Sequence, residues 1–337
     1  MKLQDFEYRL PRELIAQYPL KEREKARLMI VDRKMQTIQH DIFGNITKYI
    51  PAESVLILND SRVIPARLFG KRETGGRVEI FLLKRLADGY SYETLIRPLK
   101  RLNTDEKIYF DNNGLYAQLK NPLNRIVRFN AKNISSYLNR FGHMPLPPYI
   151  KRVDEPLDKE FYQTVYAKNP GSVASPTAGL HFTNSLLTQL KKKGHAIEKL
   201  TLHVNYATFN PVKEEDITKH RMHTEQYGVS KKTWDSIQKY KKQGRKIVAV
   251  GTTACRVLET VGNRHACSLR GETNIFIYPG FIFQMTDALI TNFHLPKSTL
   301  LMLVYAFASS DLMKRAYKEA IQEKYRFYSY GDGMLII

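Results

Sequence analysis

The 337-residue sequence has only two cysteines, Cys255 and Cys267, and they do not form a CxxC pair. A disulfide framework or a cysteine-based zinc site is therefore not expected, and a reducing cytoplasm is the compartment that fits best. Three common signatures are also missing, GxGxxG, GxxxxGK[ST] and HExxH. Their absence excludes the usual dinucleotide cradle, P-loop and zinc-protease site.

Long apolar runs are missing too. The segment 300–308, LLMLVYAFA, has nine apolar residues, whereas a membrane-spanning helix needs about 20. It predicts a buried helix instead, and no membrane association is expected. The first 20 residues, MKLQDFEYRLPRELIAQYPL, mix charged and apolar side chains, so no secretory signal is expected either.

Acidic residues are scarce relative to basic ones. The chain has 33 Asp and Glu against 53 Lys and Arg, a formal net charge of +20. Such a surface attracts polyanions over long range, and nucleic acid is the polyanion that it favours. A generally basic surface without a specific partner is the alternative.

The sequence pattern changes along the chain, which indicates two domains. From about 55 to 130, short β-rich segments alternate with turn residues, which predicts a small closed sheet or barrel. After the proline-rich stretch MPLPPYI (144–150), helix and strand patterns alternate, which predicts a layered α/β domain. The predicted fold class is therefore α/β, with a discontinuous α/β domain at 1–60 and 150–337 and an inserted β-barrel domain at 61–149. In the α/β part, helices are predicted at 158–168, 183–193, 230–243, 253–261, 298–308 and 311–325, and strands at 196–204, 226–229, 246–250, 274–278, 286–291 and 334–337.

Three histidines lie near the points where predicted strands end or predicted helices begin. His181 precedes a helix that Thr183 can cap, His203 stands near a strand end, and His294 precedes a proline that ends a strand. A histidine in such a place is more often a hydrogen-bonded structural residue than a ligand. Ligands of α/β sheets bind beyond the carboxyl ends of strands, however, and the recurrence of this pattern favours a site.

Two of these junctions offer anion-binding groups or caps. Gly251-Thr252-Thr253 leads from a strand into a helix, whose first N–H groups suit a carboxylate or phosphate, and Arg256 adds a cation one turn later. Before the apolar helix, Ser298 or Thr299 can act as the cap. A cap alone is the simpler interpretation of Ser298-Thr299.

Basic residues gather around the β-rich block, with tyrosines between them. Small barrels of this kind bind nucleic acid through basic grooves and aromatic faces, although a solvated strand face is the alternative for any one residue. The residues predicted to contact nucleic acid are Arg62, Arg67, Lys71, Arg72, Arg97, Lys100 and Arg101. Elsewhere, His220 and His223 have the spacing of a metal-binding pair but lack a third ligand at diagnostic spacing, so no metal site is predicted.

Ten stretches of the chain together resemble the S-adenosylmethionine:tRNA ribosyltransferase-isomerases of queuosine biosynthesis, from residue 5 to the C-terminal end. The stretches are DFEYRLPRELIAQYPL, LNDSRVIPARLFGKRETGGRVEIFLL, MPLPPYI, FYQTVYA, GSVASPTAGLHFT, LHVNYATFNPV, GTTACRVLE, IFIYPGF, DALITNFHLPKSTLLMLVYAFA and YRFYSYGDGMLI. The chain departs from the family pattern at 205–207, where Asn-Tyr-Ala replaces Gly-x-Gly, and at Ser61, Ser175 and Gly333, where Thr, Ala and Ala are usual. Ala254-Cys255 also replaces a more hydroxyl-rich pair. None of these changes removes a His, Arg or Asp, so activity is expected to be retained.

The resemblance implies a tRNA-modifying transferase. The ribosyl part of S-adenosylmethionine is transferred to 7-aminomethyl-7-deazaguanine at the wobble position of a tRNA and isomerised, giving epoxyqueuosine-tRNA, adenine and methionine. S-adenosylmethionine is consumed as a substrate, no cofactor is expected, and no protein partner is inferred. The implied fold is an α/β domain with an inserted β-barrel.

This chemistry needs a base for a proton activated by the sulfonium and an acid for the departing adenine, and histidine suits both roles near neutral pH. The predicted base candidates are His203 and His181, with His294 and Asp332 as acid or orienting groups. The residues predicted to bind S-adenosylmethionine are Thr252, Thr253 and Arg256 for the methionine carboxylate, and Asn292, Phe293, Ser298 and Thr299 for the nucleoside. The competing hypotheses are a non-catalytic basic RNA-binding protein and a metal-dependent hydrolase that uses His220 and His223.

Overall fold

The computed structural model describes residues 1–110, 114–206, 212–263 and 268–337. Cys267 and Ala207, the last residue of the departure at 205–207, lie outside these ranges. The described chain divides into two compact units. The first contains Met1–Arg62, Pro147–Arg152 and Glu160–Ile337, and the second contains Val63–Leu146 and Val153–Lys159.

The strands within the described residues are numbered in chain order. They are β1 (Arg27–Asp32), β2 (Thr37–Ile42), β3 (Val55–Asn59), β4 (Ser61–Val63), β5 (Arg67–Arg72), β6 (Arg77–Arg85), β7 (Ser91–Arg97), β8 (Lys107–Tyr109), β9 (Tyr116–Asn121), β10 (Ile126–Phe129), β11 (Asn169–Ser172), β12 (Ala196–Leu202), β13 (Glu225–Gly228), β14 (Ile247–Val250), β15 (Arg270–Thr273), β16 (Ala288–Asn292) and β17 (Gly333–Ile336).

The α-helices are numbered in the same way. They are α1 (Ser135–Phe141), α2 (Asp158–Phe161), α3 (Asn184–Lys192), α4 (Lys231–Lys242), α5 (Thr252–Gly262), α6 (Thr299–Ala308) and α7 (Ser310–Gln322). Among the short 3-10 turns, Thr177–His181 matters for the site described below.

A nine-stranded sheet organises the first unit, in the order β15-β13-β12-β3-β14-β16-β17-β1-β2. The neighbouring strands β12, β3, β14 and β16 run parallel. β3, β14 and β16 are buried at every position, because their apolar runs face packed layers on both sides of the sheet. Their carboxyl ends therefore meet at one edge, where the predicted site residues Thr252 and Asn292 lie.

The apolar run at 300–308 forms α6, and the prediction of a buried helix is confirmed. Eight of its ten residues are buried, including Thr299 at its first turn. Ser298 is its N-cap, and its Oγ accepts a hydrogen bond from the Leu301 N–H at 3.2 Å. Among the described residues, no helix is long and apolar enough to cross a membrane.

The second unit contains a closed six-stranded antiparallel barrel, in the order β10-β7-β6-β5-β8-β9. Side chains on alternate positions fill its interior, as in β9, where Ala117 and Leu119 are buried. Gly70 is required by close packing, since a Cβ there would lie 2.8 Å from Ile108 Cγ2 and from the Tyr109 carbonyl oxygen. The predicted fold class, α/β with a small β-barrel, is confirmed.

Two predicted elements are wrong. The helix predicted at 158–168 ends at Phe161, because Tyr162, Thr164 and Tyr166 are buried with a period of two, which does not suit a helix. The strand predicted at 274–278 is not a strand. The strand in this region is β15, four residues earlier, which is held by antiparallel pairing with β13.

Candidate active site

A cleft lies in the first unit at the carboxyl ends of β14 and β16. It has about 660 Å³ of empty space, including the space open to solvent, which is within the usual range for small-molecule sites. Its walls come from 174–178, the start of α5, the turn 293–298 and residues 328–329. The predicted binding residues that line it are Thr252, Thr253, Asn292, Phe293 and Ser298, and the predicted catalytic residue that lines it is His294.

The start of α5 supplies hydrogen-bond donors to this cleft. Gly251 is the N-cap, with a φ of 91°, and no side chain within the described residues caps the helix. Two hydroxyls of cleft residues, Ser175 Oγ and Thr253 Oγ1, are buried and have no hydrogen-bond partner among the described residues. A helix N-terminus with unpaired hydroxyls beside it is suited to bind a carboxylate. Ser175 was not predicted as a binding residue, since a serine in a Pro-Gly-rich loop is a weak signal.

Asn292 connects the cleft to His181. Its Oδ1 accepts a hydrogen bond from Thr177 Oγ1 at 2.9 Å, which fixes the orientation of the amide. The Nδ2 group can then donate to His181 Nε2 at 3.2 Å and to the Asp332 carbonyl oxygen at 3.3 Å. The hydrogen bonds therefore assign His181 as an acceptor at Nε2, with its proton on Nδ1.

Burial keeps His181 neutral. The residue is 5% exposed, and burial, together with the positive charges of Arg326 and Arg23, lowers the pKa of its imidazole to about 3. His181 does not line the cleft itself but a smaller cavity beside Arg23 and Phe161. With Nε2 occupied by Asn292, the His181 ring holds the amide in place in this conformation.

The Asp332 side chain is also occupied by the protein. Its two carboxylate oxygens accept hydrogen bonds from the Arg27 N–H at 3.0 Å and the Arg326 N–H at 2.7 Å. The group is 2% exposed, and burial raises the pKa of the carboxyl. Asp332 thus ties β1 to the segment before β17, and it reaches the cleft only through its carbonyl bond with Asn292.

His294 lies in the cleft wall and is held at both its main chain and its ring. The Tyr8 hydroxyl donates to its carbonyl oxygen, and its N–H donates to Tyr317 Oη at 3.0 Å. Its Nε2 lies 2.7 Å from Thr291 Oγ1. Burial lowers the pKa of the His294 imidazole to about 3, so the ring is neutral at pH 7.

The aromatic lining differs from the prediction. The Phe293 ring is fully buried, with centroids 5.3 Å from Tyr325 and 5.1 Å from Phe327, so it belongs to the core. The aromatic residues that border the cleft beside it are Tyr149 and Tyr328, whose ring centroids are 4.7 Å apart. Neither was predicted, because their positions in MPLPPYI and RFYSYGDG carry no helix or strand periodicity.

Arg256 is not brought to the cleft. It is 4% exposed and forms a buried ion pair with Glu225 of β13. Its Nε also donates to the Ile275 carbonyl oxygen at 3.3 Å. One turn into α5, the side chain points away from the helix start, so the cation predicted for the carboxylate is engaged elsewhere. Thr299, inside the first turn of α6, does not line the cleft either.

Comparison with known proteins agrees with the resemblance in the sequence. A family model described as "Queuosine biosynthesis protein" matches residues 3–336. A protein of Sulfurihydrogenibium sp. named S-adenosylmethionine:tRNA ribosyltransferase-isomerase is 52% identical, and one of the same name from Carboxydothermus hydrogenoformans is 48% identical; each alignment covers 100% of both chains.

The chain belongs to the queuosine biosynthesis protein family. A crystal structure of an S-adenosylmethionine tRNA ribosyltransferase from Thermotoga maritima is also similar, with 36% identity and a TM-score of 0.56 over 99% of this chain and 100% of that one. The prediction of an enzyme of the ribosyltransferase-isomerase class is confirmed by these relatives.

In this family member, His203 lies on a different cavity from His181 and His294. The cavity borders Asp60 and Asn169 as well. The His203 Nδ1 is buried and has no partner in the described part of the chain. Burial lowers the pKa of the imidazole, and the negative charge of Asp60 partly offsets that effect. The ring packs on Gly171, where a Cβ would lie 2.9 Å from it.

Some of the basic residues predicted to contact tRNA form ion pairs, and others do not. Arg67 pairs with Glu79 at 3.1 Å and Arg72 with Glu106 at 2.5 Å, so their charges are partly neutralised. The others are exposed and make no ion pair within the described ranges: Arg62, Lys71, Arg97, Lys100 and Arg101.

The hydrolase hypothesis rests on the histidine pair His220 and His223. His220 Nδ1 lies 2.9 Å from Glu214 Oε2. In the residues that the structure describes, no group of three His, Cys, Asp or Glu side chains could hold a metal ion. The structure therefore gives this hypothesis no support.

Proposed function

We propose that the chain transfers and isomerises the ribosyl moiety of S-adenosylmethionine onto 7-aminomethyl-7-deazaguanine at the wobble position of a tRNA. The products are epoxyqueuosine-tRNA, adenine and methionine. S-adenosylmethionine is a substrate in this proposal, and no cofactor takes part. A tRNA-modifying enzyme works where its tRNA is, so we assign the reaction to the cytoplasm.

The observation that carries this proposal is the cleft at the start of α5, in a chain whose relatives act on S-adenosylmethionine by name. The uncapped helix start and the hydroxyls of Ser175 and Thr253 would bind the methionine carboxylate. Charge-assisted hydrogen bonds from such donors are about twice as strong as neutral ones. With Arg256 engaged by Glu225, these neutral donors would perform the task that a cation was expected to perform.

The nucleoside part of the substrate would contact other residues that line the cleft. Asn292, held by Thr177 and His181, presents a fixed amide there, and Tyr149 and Tyr328 offer aromatic surface. A flat ring on such surface suits adenine. Ser298 would shape the wall and not donate to the substrate, since its hydroxyl already donates to the Leu295 carbonyl oxygen at 2.7 Å.

The proton transfers are assigned to the neutral histidines. His294 lines the cleft, and its neutral imidazole can accept a proton there. His203 remains a base candidate because its Nδ1 has no partner within the described residues, but its ring lines the cavity beside Asp60 and not the cleft. For His181, the bond with Asn292 supports an orienting role in place of proton removal. Asp332 would likewise orient Asn292.

Adenine release tests the proposal directly. The purified protein, incubated with S-adenosylmethionine and tRNA that carries the 7-aminomethyl base, should release one adenine per tRNA modified, measured by liquid chromatography. The same tRNA with an unmodified guanine is the control and should release none. Binding of the modified tRNA without adenine release would favour the non-catalytic RNA-binding hypothesis. Addition of a chelator should leave the rate unchanged, whereas a metal-dependent hydrolase would lose activity.

A further inference from the structure

The cavity that His203 lines is separate from the cleft at the start of α5. It has about 1650 Å³ of empty space, including the part open to solvent. Its walls come from Asp60 at the end of β3, from β11 and β12, from β13 and from the start of β15. A ligand much larger than a metabolite can therefore enter it.

The floor of this cavity has two hydrogen-bond acceptors in fixed positions. Asp60 is 7% exposed, and its Oδ1 accepts from Asn169 Nδ2 at 2.9 Å and from Thr201 Oγ1 at 2.7 Å. Asn169 Nδ2 also donates to Thr201 Oγ1 at 2.9 Å. Asp60 Oδ2 and Asn169 Oδ1 have no hydrogen-bond partner within the described residues. They can accept from a ligand that carries N–H groups, as nucleobases do.

The rim of the same cavity is basic. Lys168, Lys199 and Arg270 are exposed, and none forms an ion pair with an acidic side chain in the described part of the chain. The acidic residues of the cavity are Asp60 and Glu272. Exposed cations without acidic partners, beside an accessible groove, suit phosphodiester groups.

A ligand that satisfies both rim and floor must carry negative charges and N–H donors within one molecule. Inorganic phosphate has the charges but no such donors, and an amine has donors but no negative charge. We propose that this cavity binds a single-stranded stretch of the tRNA, with phosphates on Lys168, Lys199 and Arg270 and the amino or ring N–H groups of a base on Asp60 Oδ2 and Asn169 Oδ1. The proposal rests on the proposed function for the identity of the RNA.

The rim is tested by a triple variant, Lys168→Ala with Lys199→Ala and Arg270→Ala. Its affinity for an anticodon stem-loop RNA would be measured by fluorescence anisotropy at several KCl concentrations. Each single-strand phosphate contact contributes about 0.7 to the slope of log K against log salt, so the slope should fall by about 2. Affinity at low salt should fall by about tenfold or more.

The matched control removes the same charge from exposed lysines elsewhere in the first unit, through Lys34→Ala, Lys314→Ala and Lys318→Ala. It should keep the wild-type slope. If both triple variants have the same slope, the cavity makes no phosphate contact and the proposal is wrong.

The floor is tested by Asp60→Asn, which keeps an Oδ1 acceptor for Asn169 and Thr201 but replaces Oδ2 with an N–H donor. The KM for tRNA should rise about tenfold or more, while the salt slope and the calorimetric affinity for S-adenosylmethionine should stay at the wild-type values. An unchanged KM for tRNA would overturn the assignment of Asp60.

Two other results would distinguish this proposal from a mononucleotide site and from a failure of the proposed reaction. If guanosine monophosphate displaces the stem-loop RNA at equal concentration, the cavity is a mononucleotide site and the RNA proposal fails. If the wild-type protein releases no adenine but the rim variant loses its salt slope, the proposed reaction fails and the RNA site remains.

Discussion

At the scale of single residues, the neutral state of His181 has a thermodynamic consequence. The folded protein holds its pKa at about 3, far below the ordinary value of 6.5. Between these two pH values, the unfolded chain binds a proton that the folded chain does not. Stability therefore falls as the pH falls from 6.5 towards 3, and it is regained as the pH rises.

The variant His181→Gln should remove this dependence. One proton of difference corresponds to a slope of about 1.4 kcal/mol per pH unit in the free energy of unfolding. Urea titrations between pH 4 and pH 6 should give a slope smaller by up to that amount in the variant, with exposed His223→Gln as the matched control. An equal slope in wild type and His181→Gln would contradict a buried neutral His181.

Ser175 offers a second test at this scale, because the residue is 5% exposed and its buried hydroxyl has no hydrogen-bond partner within the described residues. If it binds the substrate carboxylate, Ser175→Ala should raise the KM for S-adenosylmethionine. A hydrogen bond to a charged group contributes about 1.5–3 kcal/mol, so the rise should be about tenfold or more. Initial-rate kinetics would measure it.

The value of kcat should change little in Ser175→Ala, because a contact that binds the substrate and the transition state equally changes KM and not kcat. Ser185→Ala, on the exposed side of α3, is the control. A KM equal to that of the control would show that the Ser175 hydroxyl does not contact the substrate.

At the scale of elements, the caps of α4 and α6 form a matched pair. Ser230 Oγ accepts from the Thr233 N–H at 3.0 Å at an exposed helix start, and Ser298 Oγ accepts from the Leu301 N–H at 3.2 Å at a buried one. Only Ser298 also donates, to the Leu295 carbonyl oxygen. Its removal thus leaves the buried Leu301 N–H without its cap and takes one of two hydrogen bonds from the Leu295 carbonyl oxygen, which keeps the Ser298 N–H at 3.4 Å. Removal of Ser230 leaves one N–H that water can reach.

Ser298→Ala should therefore cost about 1–2 kcal/mol of unfolding free energy, and Ser230→Ala about 0.5–1 kcal/mol. Urea denaturation with a common slope would measure both values. Equal losses of unfolding free energy in the two variants would mean that burial does not increase the contribution of the Ser298 cap.

The elements that the sequence predicted best are those with a strong local signal. α3, α4 and α6 have a serine or threonine cap, and the barrel strands are separated by turn residues. β15 has weak local preference and becomes a strand only through pairing with β13. The helix predicted at 158–168 fails because its buried residues, Tyr162, Thr164 and Tyr166, follow one another with a period of two, which is the spacing of an extended chain. The local sequence pattern was sufficient to predict an element where its formation does not depend on residues distant in the sequence.

The candidate site was predictable in part for the same reason. Asn292 ends β16, and Thr252 and His294 follow strand ends, so the edge of a parallel sheet brings these residues together. The direction of a side chain depends on neighbours distant in sequence. Arg256 turns towards Glu225, which is 31 residues away, and His203 lies on a different cavity from Val204, since successive residues of an extended chain face opposite sides.

At the scale of the whole molecule, the net charge of +20 predicts a strong salt dependence of tRNA binding. The barrel contributes through exposed residues without ion pairs in the described ranges, so Arg97→Ala with Lys100→Ala and Arg101→Ala should lower the slope of log K against log salt by about 2. The Lys34, Lys314 and Lys318 variant serves again as the control. A wild-type affinity that is flat with salt would contradict the barrel as a tRNA surface.

The order of the large sheet has a consequence for synthesis on the ribosome. β17 lies between β16 and β1, pairing antiparallel with one and parallel with the other. It is translated after both. Until residues 333–336 leave the exit tunnel, the β1–β2 hairpin has no strand that joins it to the rest of the sheet, and two apolar strand edges stay open to pairing with other chains. The nascent protein should thus depend on chaperones that shield such edges until its last strand is inserted.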